Sequence, residues 1–221
     1  MKAVVPLGPK SGWKNHGELK YTIRALVKYA DVTEIMVLGV KPDWLTNITF
    51  IPWKETHQHN KDANLIDKIA HAGTIWNDFI RFSDDQILVK PFVDIPYHLG
   101  TLPKQKHGKW YKRLNNILNY YNYGCYNFDA HIPVRVSGPK FTEVASKIPY
   151  HKQPGCCINT LYFNGIKQQP IKIPEGFAVT PSKVADIKEH THVLNLKDWA
   201  LTKELKKWLD NQFPEPSPFE K

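Results

Sequence analysis

The first 92 residues alternate short apolar strands with amphipathic helices, and this alternation limits the fold more than any other feature of the chain. The predicted strands cover residues 3–7, 35–40 and 48–51, and the predicted helices cover residues 18–29 and 60–72. Strands that are joined through helices run parallel, and a parallel sheet is covered on both faces. The sequence therefore predicts an α/β, Rossmann-like fold with a mostly parallel sheet flanked by helices.

A fourth predicted strand ends at two adjacent carboxylates. The apolar residues Phe79, Ile80 and Phe82 lead into Asp84 and Asp85, and a second apolar run follows at 87–89. Two carboxylates at the exposed end of a buried strand repel each other, and a hard divalent cation that also holds phosphates relieves this repulsion. The pattern favours a Mn²⁺ or Mg²⁺ site with Asp84 and Asp85 as ligands and Asp84 also near a bound nucleotide. The alternative is an acidic turn between strands, since Asp is common in turns.

The loop after the first strand is the second candidate for contact with a nucleotide. In an α/β fold, nucleotides bind outside the carboxyl ends of the strands. The residues that we expect to contact the nucleotide or its phosphates are Pro6, Gly8, Lys10, Lys14 and Arg24. The glycine spacing of a phosphate-binding P-loop is absent, so a plain strand-to-helix turn is the alternative.

Charge and cysteine content narrow the cellular setting. The net charge of +9 suits nucleic acid, anionic lipid or phosphorylated ligands, and does not choose among them. Three cysteines, two of them adjacent at Cys156 and Cys157, argue against a disulfide framework. No apolar run approaches the ~20 residues that a membrane span requires. We therefore expect a cytoplasmic protein without a membrane span.

The segment 104–126 interleaves basic and aromatic residues. Cations beside aromatic rings suit polyanions with stackable bases, and aromatic rings also form platforms for sugars. We expect this segment to bind the acceptor substrate. The alternative is an amphipathic helix with aromatic residues packed inward and solvated lysines.

Asp129 and His131 form the candidate catalytic pair. They are two residues apart, so on an extended strand they share one face, where the carboxylate could orient the imidazole. Such a pair could deprotonate an acceptor hydroxyl, which contributes roughly 10²–10⁴-fold to a rate. The alternative is a hydrogen-bonded histidine in a turn before Pro133.

Three stretches of the chain resemble the second conserved region of the Stealth family: residues 18–30 (ELKYTIRALVKYA), Trp44-Leu45 and residues 79–85 (FIRFSDD). Weaker similarities follow at 127–133, 157–162 and 213–220. Stealth proteins transfer sugar-phosphate groups from nucleotide-sugars, and their nucleotide-binding part is similar to GT-A glycosyltransferases. The resemblance implies that the acid pair holds a metal and the donor diphosphate. It also implies that a late histidine, His192 with His190 as the alternate, completes the metal shell.

The chain departs from the Stealth pattern in two places, and the first departure favours glycosyl transfer without excluding phosphotransfer. The chain does not open with the acidic stretch of the Stealth phosphotransferases, and Ser83 stands where the family has Asn. We therefore expect a metal-dependent transfer of a sugar from a nucleotide-sugar, with UDP as the expected nucleotide, to a hydroxyl of a saccharide or a modified nucleic-acid base. The alternatives are a hexose-1-phosphate transferase acting on a polysaccharide and a non-enzymatic basic module that binds nucleic acid.

The expected organisation is one GT-A-like domain over residues 1–221. Residues 1–100 would form the half that binds the nucleotide-sugar, and residues 101–221 a smaller half that binds the acceptor. The sequence leaves the oligomeric state open.

Overall fold

The computed structural model describes residues 1–9, 13–102, 108–121, 125–152, 154–197 and 202–221. The strands are β1 (Lys2–Leu7), β2 (Glu34–Gly39), β3 (Thr49–Pro52), β4 (Asp78–Arg81), β5 (Gln86–Leu88), β6 (Tyr97–His98), β7 (Val134–Ser137), β8 (Ile171–Lys172), β9 (Ala178–Val179) and β10 (Val193–Asn195). The helices are α1 (Gly17–Ala30), α2 (Lys61–Ile75), α3 (Lys109–Asn116), α4 (Gly138–Ser146), α5 (Ile158–Gly165) and α6 (Lys203–Gln212).

A five-stranded sheet of order β3-β2-β1-β4-β7 forms the centre of the fold. Strands β1 to β4 are parallel, and only β7 pairs antiparallel, with β4. The central β1 is buried on both faces, as a parallel strand covered by helices on both sides must be. The predicted α/β class with a mostly parallel sheet flanked by helices is confirmed.

The strand order reverses between β1 and β4. From β1 the chain continues outward through β2 to β3, and then returns to add β4 on the other side of β1. In open α/β sheets, this reversal leaves a crevice at the carboxyl ends of the two strands, where ligands bind. The acid pair follows β4 directly and therefore lies at this crevice.

Local signals explain where the flanking helices start. Asn60 accepts a hydrogen bond from the Ala63 backbone at 3.1 Å and begins α2, and Thr202 accepts one from Leu205 at 3.1 Å and begins α6. These side chains occupy backbone N–H groups that have no partner within the helix.

Helices α2 and α4 pack closely through two glycines. A Cβ atom on Gly138 would lie 2.6 Å from the Gly73 Cα and 2.4 Å from the Trp76 carbonyl oxygen. No side chain fits at either glycine without displacing backbone, so this contact fixes α4 against α2.

The second half of the chain departs from the sequence-based expectation in two places. The sequence pattern around His190 and His192 predicts a strand that carries both histidines on one face, but both lie before β10, which begins at Val193. Helix α5 was not predicted, because residues 158–164 are all buried, the polar Asn159, Thr160 and Asn164 included, and no exposed polar face marks a helical period. In the described part of the chain, no helix is both long and apolar enough to cross a membrane.

Candidate active site

The turn that carries the acid pair is fixed from two sides. The Thr22 hydroxyl of α1 donates to the Asp84 carbonyl oxygen at 2.6 Å, and the Leu196 backbone N–H donates to the Asp85 carbonyl oxygen at 2.8 Å. The carboxylates themselves therefore remain available for other contacts, and the backbone of the turn is held in place.

Asp84 meets two residues at the start of α1. Ligand atoms of His16, Glu18 and Asp84 all lie within 4.8 Å of one another, and His16 Nδ1 lies 3.9 Å from Asp84 Oδ2. His16 and Glu18 are 8% and 4% exposed. An imidazole and two carboxylates are suitable ligands for Mn²⁺, and the buried His16 Nδ1 has no hydrogen-bond partner among the described residues. The residues at this edge of the sheet therefore fit a divalent metal.

On the other side of the turn lies a cavity of about 170 Å³, called here the polar cavity. Its walls come from the end of β4, the start of α2, helix α3, the start of α5 and the segment before β7. The lining residues are Asp62, Leu65, Arg81, Ser83, Arg113, Asp129, His131, Cys157, Ile158 and Asn159.

Arg81 is the buried cation of the polar cavity. Its Nη1 donates to Asn159 Oδ1 at 3.1 Å and its Nη2 to Ser83 Oγ at 3.3 Å. Burial lowers the pKa of Arg81, while the charges of Asp129 and Asp85 act against this change. Among the described residues, Arg81 Nε and Asn159 Nδ2 have no hydrogen-bond partner. Two buried donors without partners are costly unless a ligand or water occupies them.

Burial raises the pKa of the Asp85 carboxyl group, and the neighbouring Asp84 charge acts in the same direction. The charge of His131 acts in the opposite direction. The repulsion from Asp84, expected because the two acids are adjacent in the sequence, thus contributes to the raised pKa of Asp85. Burial contributes more to it.

Helix α3 covers the polar cavity with one aromatic and one basic residue. Trp110 Nε1 donates to Asp129 Oδ2 at 2.8 Å, and Arg113 Nη1 donates to both carboxylate oxygens of Asp62 at 2.8 and 2.9 Å. Burial raises the pKa of Asp62 and Arg113 counteracts it. The described part of segment 104–126 is thus connected to the cavity, and its role in acceptor binding stays a prediction.

Asp129 and His131 both line the polar cavity, but not in the predicted arrangement. The segment that carries them is not a strand, and His131 has a φ of 53°, which breaks the alternation of an extended chain. Its Nδ1 hydrogen-bonds Asn195 Oδ1 at 2.9 Å. The expectation that Asp129 orients the His131 ring was therefore wrong in its geometry, and Asn195 is the orienting partner.

The other predicted metal ligand, His192, lies elsewhere. It stacks on Phe177 with ring centroids 4.5 Å apart, in a small cavity beside Leu88 and Pro91. Burial lowers the pKa of the His192 ring. Within the described residues, neither His190 nor His192 lines the polar cavity or joins the cluster around Asp84. Metal binding by His192 stays a prediction.

Of the predicted nucleotide contacts that the structure describes, two lie at the end of β1 and one lies on α1. Pro6 and Gly8 are at the carboxyl end of β1, beside the crevice. Arg24 is held by Glu220 and by the Phe213 carbonyl oxygen. Lys10 and the side chain of Lys14 lie outside the described residues. Contact of any of the five with a nucleotide stays a prediction.

The sequence patterns did not point to Asp62, Arg81 or Asn159, and they did not suggest His16 or Glu18 as ligands. Arg113 was included only as part of the basic and aromatic segment 104–126. Arg81 carried a readable signal, since it is a charged residue inside an otherwise apolar strand. Glu18 lies in a stretch that resembles the Stealth family. The remaining residues come together only through the tertiary fold.

The mostly parallel sheet, with its strand order reversing between β1 and β4, has a GT-A-like fold. Two solved structures of the galactosyltransferase LgtC share it. One is the complex with donor and acceptor sugar analogs, with a TM-score of 0.53 and 12% identity, and the other is an active-site mutant, with a TM-score of 0.52 and 13% identity. Each alignment covers 99% of this chain and 98% of the LgtC chain.

At this identity the likeness shows the fold alone. No family model matches the chain, and no curated protein matches it. The GT-A-like part of the sequence resemblance is thus confirmed at the level of the fold, and the relation to the Stealth family is not.

Proposed function

We propose that this chain is a metal-dependent glycosyltransferase that moves a sugar from a nucleotide-sugar to a hydroxyl acceptor. One observation carries the proposal: the acid pair lies at the carboxyl end of β4, in the crevice where the strand order of a GT-A-like sheet reverses.

The nucleotide-sugar would bind across the carboxyl ends of β1 and β4, with residues 1–100 supplying most contacts. Pro6, Gly8, Lys10 and Lys14 would contact the nucleotide, and Asp84 and Asp85 would hold Mn²⁺ or Mg²⁺ with the diphosphate. The cation, when bound, stabilises negative charge on the leaving diphosphate as a Lewis acid.

The polar cavity would receive the sugar that is transferred. Arg81 Nε and Asn159 Nδ2 are buried donors without partners among the described residues, and sugar hydroxyl oxygens would satisfy them. Asp62 and Asp129, which also line the cavity, would accept hydrogen bonds from sugar hydroxyl groups. A cavity with both donors and acceptors orients a sugar ring and excludes a purely apolar ligand.

His131 is the better placed of the two candidate bases for an acceptor hydroxyl. Its side chain lies at the exposed rim of the polar cavity. With Nδ1 donating to Asn195, the lone pair is on Nε2, which can accept a proton. Asp129 has one oxygen bound to Trp110 and would position the sugar or the helix that covers it.

A second candidate is transfer of a hexose-1-phosphate to a polysaccharide. Two stretches that resemble the Stealth family, residues 18–30 and 79–85, meet in the structure, where Thr22 donates to the Asp84 carbonyl oxygen and Glu18 approaches the Asp84 carboxylate. This contact supports a single site that contains both stretches. It does not distinguish transfer of a sugar from transfer of a sugar phosphate.

Incubation of the protein with a panel of nucleotide-sugars, with MnCl₂ or with EDTA, tests the proposal. We expect one donor, a UDP-sugar first, to raise the melting temperature only when the metal is present, and the Asp85→Asn variant to lose this effect. Equal stabilisation by the donor in EDTA and in the variant would contradict metal-dependent donor binding.

Mass spectrometry of the acceptor after reaction then distinguishes the two candidates. Gain of a hexose supports glycosyl transfer, and gain of a hexose phosphate supports sugar-phosphate transfer. A parallel binding assay with duplex DNA at several salt concentrations tests the acceptor, because a nucleic-acid substrate would bind with a steep salt dependence. Binding of DNA that is unaffected by donor, metal and Asp85→Asn would favour the non-enzymatic module.

A further inference from the structure

We propose that His16 and Glu18, at the start of α1, bind a divalent transition metal together with Asp84. The inference rests on the proposed function in one respect only, namely that this metal is the one that would hold the donor diphosphate. It replaces His192 as the histidine ligand with His16, the N-cap of α1, and adds Glu18 from the first turn of that helix.

The distances suit a shared cation. The three ligand atoms lie within 4.8 Å of one another. Three atoms that are no more than 4.8 Å apart can share a centre that lies about 2.8 Å or less from each of them, and metal–ligand bonds are about 2.0–2.4 Å long. Side-chain shifts of roughly half an ångström would therefore close the site.

The burial of His16 is the independent observation that points to a ligand. The residue is 8% exposed, and its Nδ1 has no hydrogen-bond partner among the described residues. A buried polar atom without a partner costs free energy, so such atoms are rare unless a ligand, ion or water is bound there. His16 Nδ1 is 3.9 Å from Asp84 Oδ2, which is too long for a hydrogen bond and short enough for two ligands of one ion.

The backbone holds the ligands before any metal binds. His16 has a φ of 52°, in the left-handed region, and forms the N-cap of α1. This conformation is costly for a residue other than glycine or asparagine, so the surrounding structure must stabilise it. Glu18 follows in the first turn of the same helix, and Thr22 ties that helix to the Asp84 carbonyl oxygen at 2.6 Å.

The ligand types select the metal. A set with one imidazole nitrogen and two carboxylates suits Mn²⁺ better than Mg²⁺, which prefers oxygen ligands throughout. The inference therefore narrows the expected cofactor to Mn²⁺ or a similar transition metal. The competing interpretation is a charged His16 paired with Asp84 without any metal.

Electron paramagnetic resonance with Mn²⁺ alone, without nucleotide, tests the inference. Titration gives the affinity, and pulsed measurements detect the magnetic coupling of Mn²⁺ to a ligand ¹⁴N nucleus. We expect the wild-type protein to show this coupling and the His16→Gly variant, which suits the positive φ, to lose it. Glu18→Gln, an isosteric change, should weaken Mn²⁺ binding about tenfold or more. His192→Gln is the matched control and should bind Mn²⁺ as the wild type does.

Circular dichroism and thermal unfolding establish that the variants fold. If His16→Gly is unstable, Glu18→Gln and the nitrogen coupling of the wild type still decide the question. Wild-type affinity in folded His16→Gly and Glu18→Gln, or loss of nitrogen coupling in His192→Gln alone, would overturn the inference. Absence of Mn²⁺ binding by the wild type, with His16 as an ion-pair partner, would overturn it as well.

The outcome is separable from that of the proposed function. Mn²⁺ bound through His16 in a protein that transfers no sugar would leave this inference intact and refute the transferase. Metal-dependent sugar transfer that persists in folded His16→Gly would leave the transferase intact and refute this ligand set.

Discussion

The ion pair between Arg24 and Glu220 gives a prediction whose size follows from its geometry. Arg24 Nε and Nη2 donate to the two Glu220 carboxylate oxygens at 2.8 and 2.7 Å. The Ser217 N–H and hydroxyl donate to the same carboxylate at 2.9 and 3.0 Å. The side chains of Arg24 and Glu220 are 17% and 3% exposed. Glu220 thus connects the C-terminal segment to α1 through an almost fully buried carboxylate.

The Glu220→Gln substitution should destabilise the protein considerably. Removing one partner of a buried ion pair costs about 3–5 kcal/mol. Arg24 keeps some contact with solvent and Gln keeps one oxygen acceptor, so we expect a loss of about 2–3 kcal/mol in the free energy of unfolding. For a chain of this size, this corresponds to a fall of roughly 4–12 °C in the melting temperature.

The loss of unfolding free energy in Glu220→Gln should also depend on pH. Burial alone would raise the pKa of Glu220, but the hydrogen bonds from Arg24 and Ser217 outweigh burial and lower it. A carboxyl group whose pKa is lower in the folded state stabilises the fold above its unfolded pKa. That contribution disappears as the pH falls through the folded pKa. The difference between wild type and variant should therefore be full above about pH 4.5 and shrink below it.

Urea denaturation of the wild type, Glu220→Gln and Arg24→Gln, with the double variant, measures the coupling directly. Glu215→Gln, an exposed acid of the same segment, is the control and should change the stability little. A Glu220→Gln protein as stable as the wild type at pH 7, or a coupling energy near zero, would refute the reasoning. In that case Arg24 would be free for the nucleotide contact that its sequence position predicts.

Three further predictions concern the acid pair, the helix packing and the thiols. Asp85→Asn should reduce sugar transfer about 100-fold or more with the fold retained, as measured by donor turnover and circular dichroism; turnover near the wild-type level would contradict the assignment. Gly138→Ala should lower the free energy of unfolding by about 1–3 kcal/mol or more in urea, because the new Cβ would lie 2.4 Å from the Trp76 carbonyl oxygen. Burial raises the pKa of Cys156 to about 11, so its thiol should react with Ellman's reagent only after unfolding, and rapid reaction in the native protein would argue against this burial.

Periodic patterns predicted most of the first half of the fold. The helical spacing of Leu19, Ile23 and Leu26 placed α1, and all three side chains are fully or almost fully buried. Continuous apolar runs placed β1 and β2, because a parallel strand buried on both faces reads as such a run. Strand β3 lies at the edge of the sheet and is mostly exposed. Helix α5 escaped prediction since an element buried on all sides has no polar face to reveal its period.

Only part of the candidate site could be predicted from the sequence, because most of its residues come together only in the folded chain. Asp84 and Asp85 are adjacent in the chain, so their chemistry is visible without any knowledge of the fold. Arg81 and Asn159 line the polar cavity from β4 and α5, and no local sequence pattern connects them to each other or to the acid pair. The prediction failed most clearly at His131. Its positive φ breaks the extended chain that was expected to place Asp129 and His131 on one face.

The strand order explains why the acid pair lies beside residues at the start of α1, and the sequence alone did not predict this order. The sequence predicted a parallel sheet but not that β4 returns to pair with β1. Once that pairing is known, the segment after β1 must lie beside the segment after β4, since the carboxyl ends of neighbouring parallel strands share one edge. His16 and Glu18 follow β1, Asp84 follows β4, and the Thr22 contact to Asp84 spans 62 residues of sequence. The proposed ligand set is thus a consequence of one topological fact, and the measurement of nitrogen coupling to Mn²⁺ tests that fact together with the chemistry.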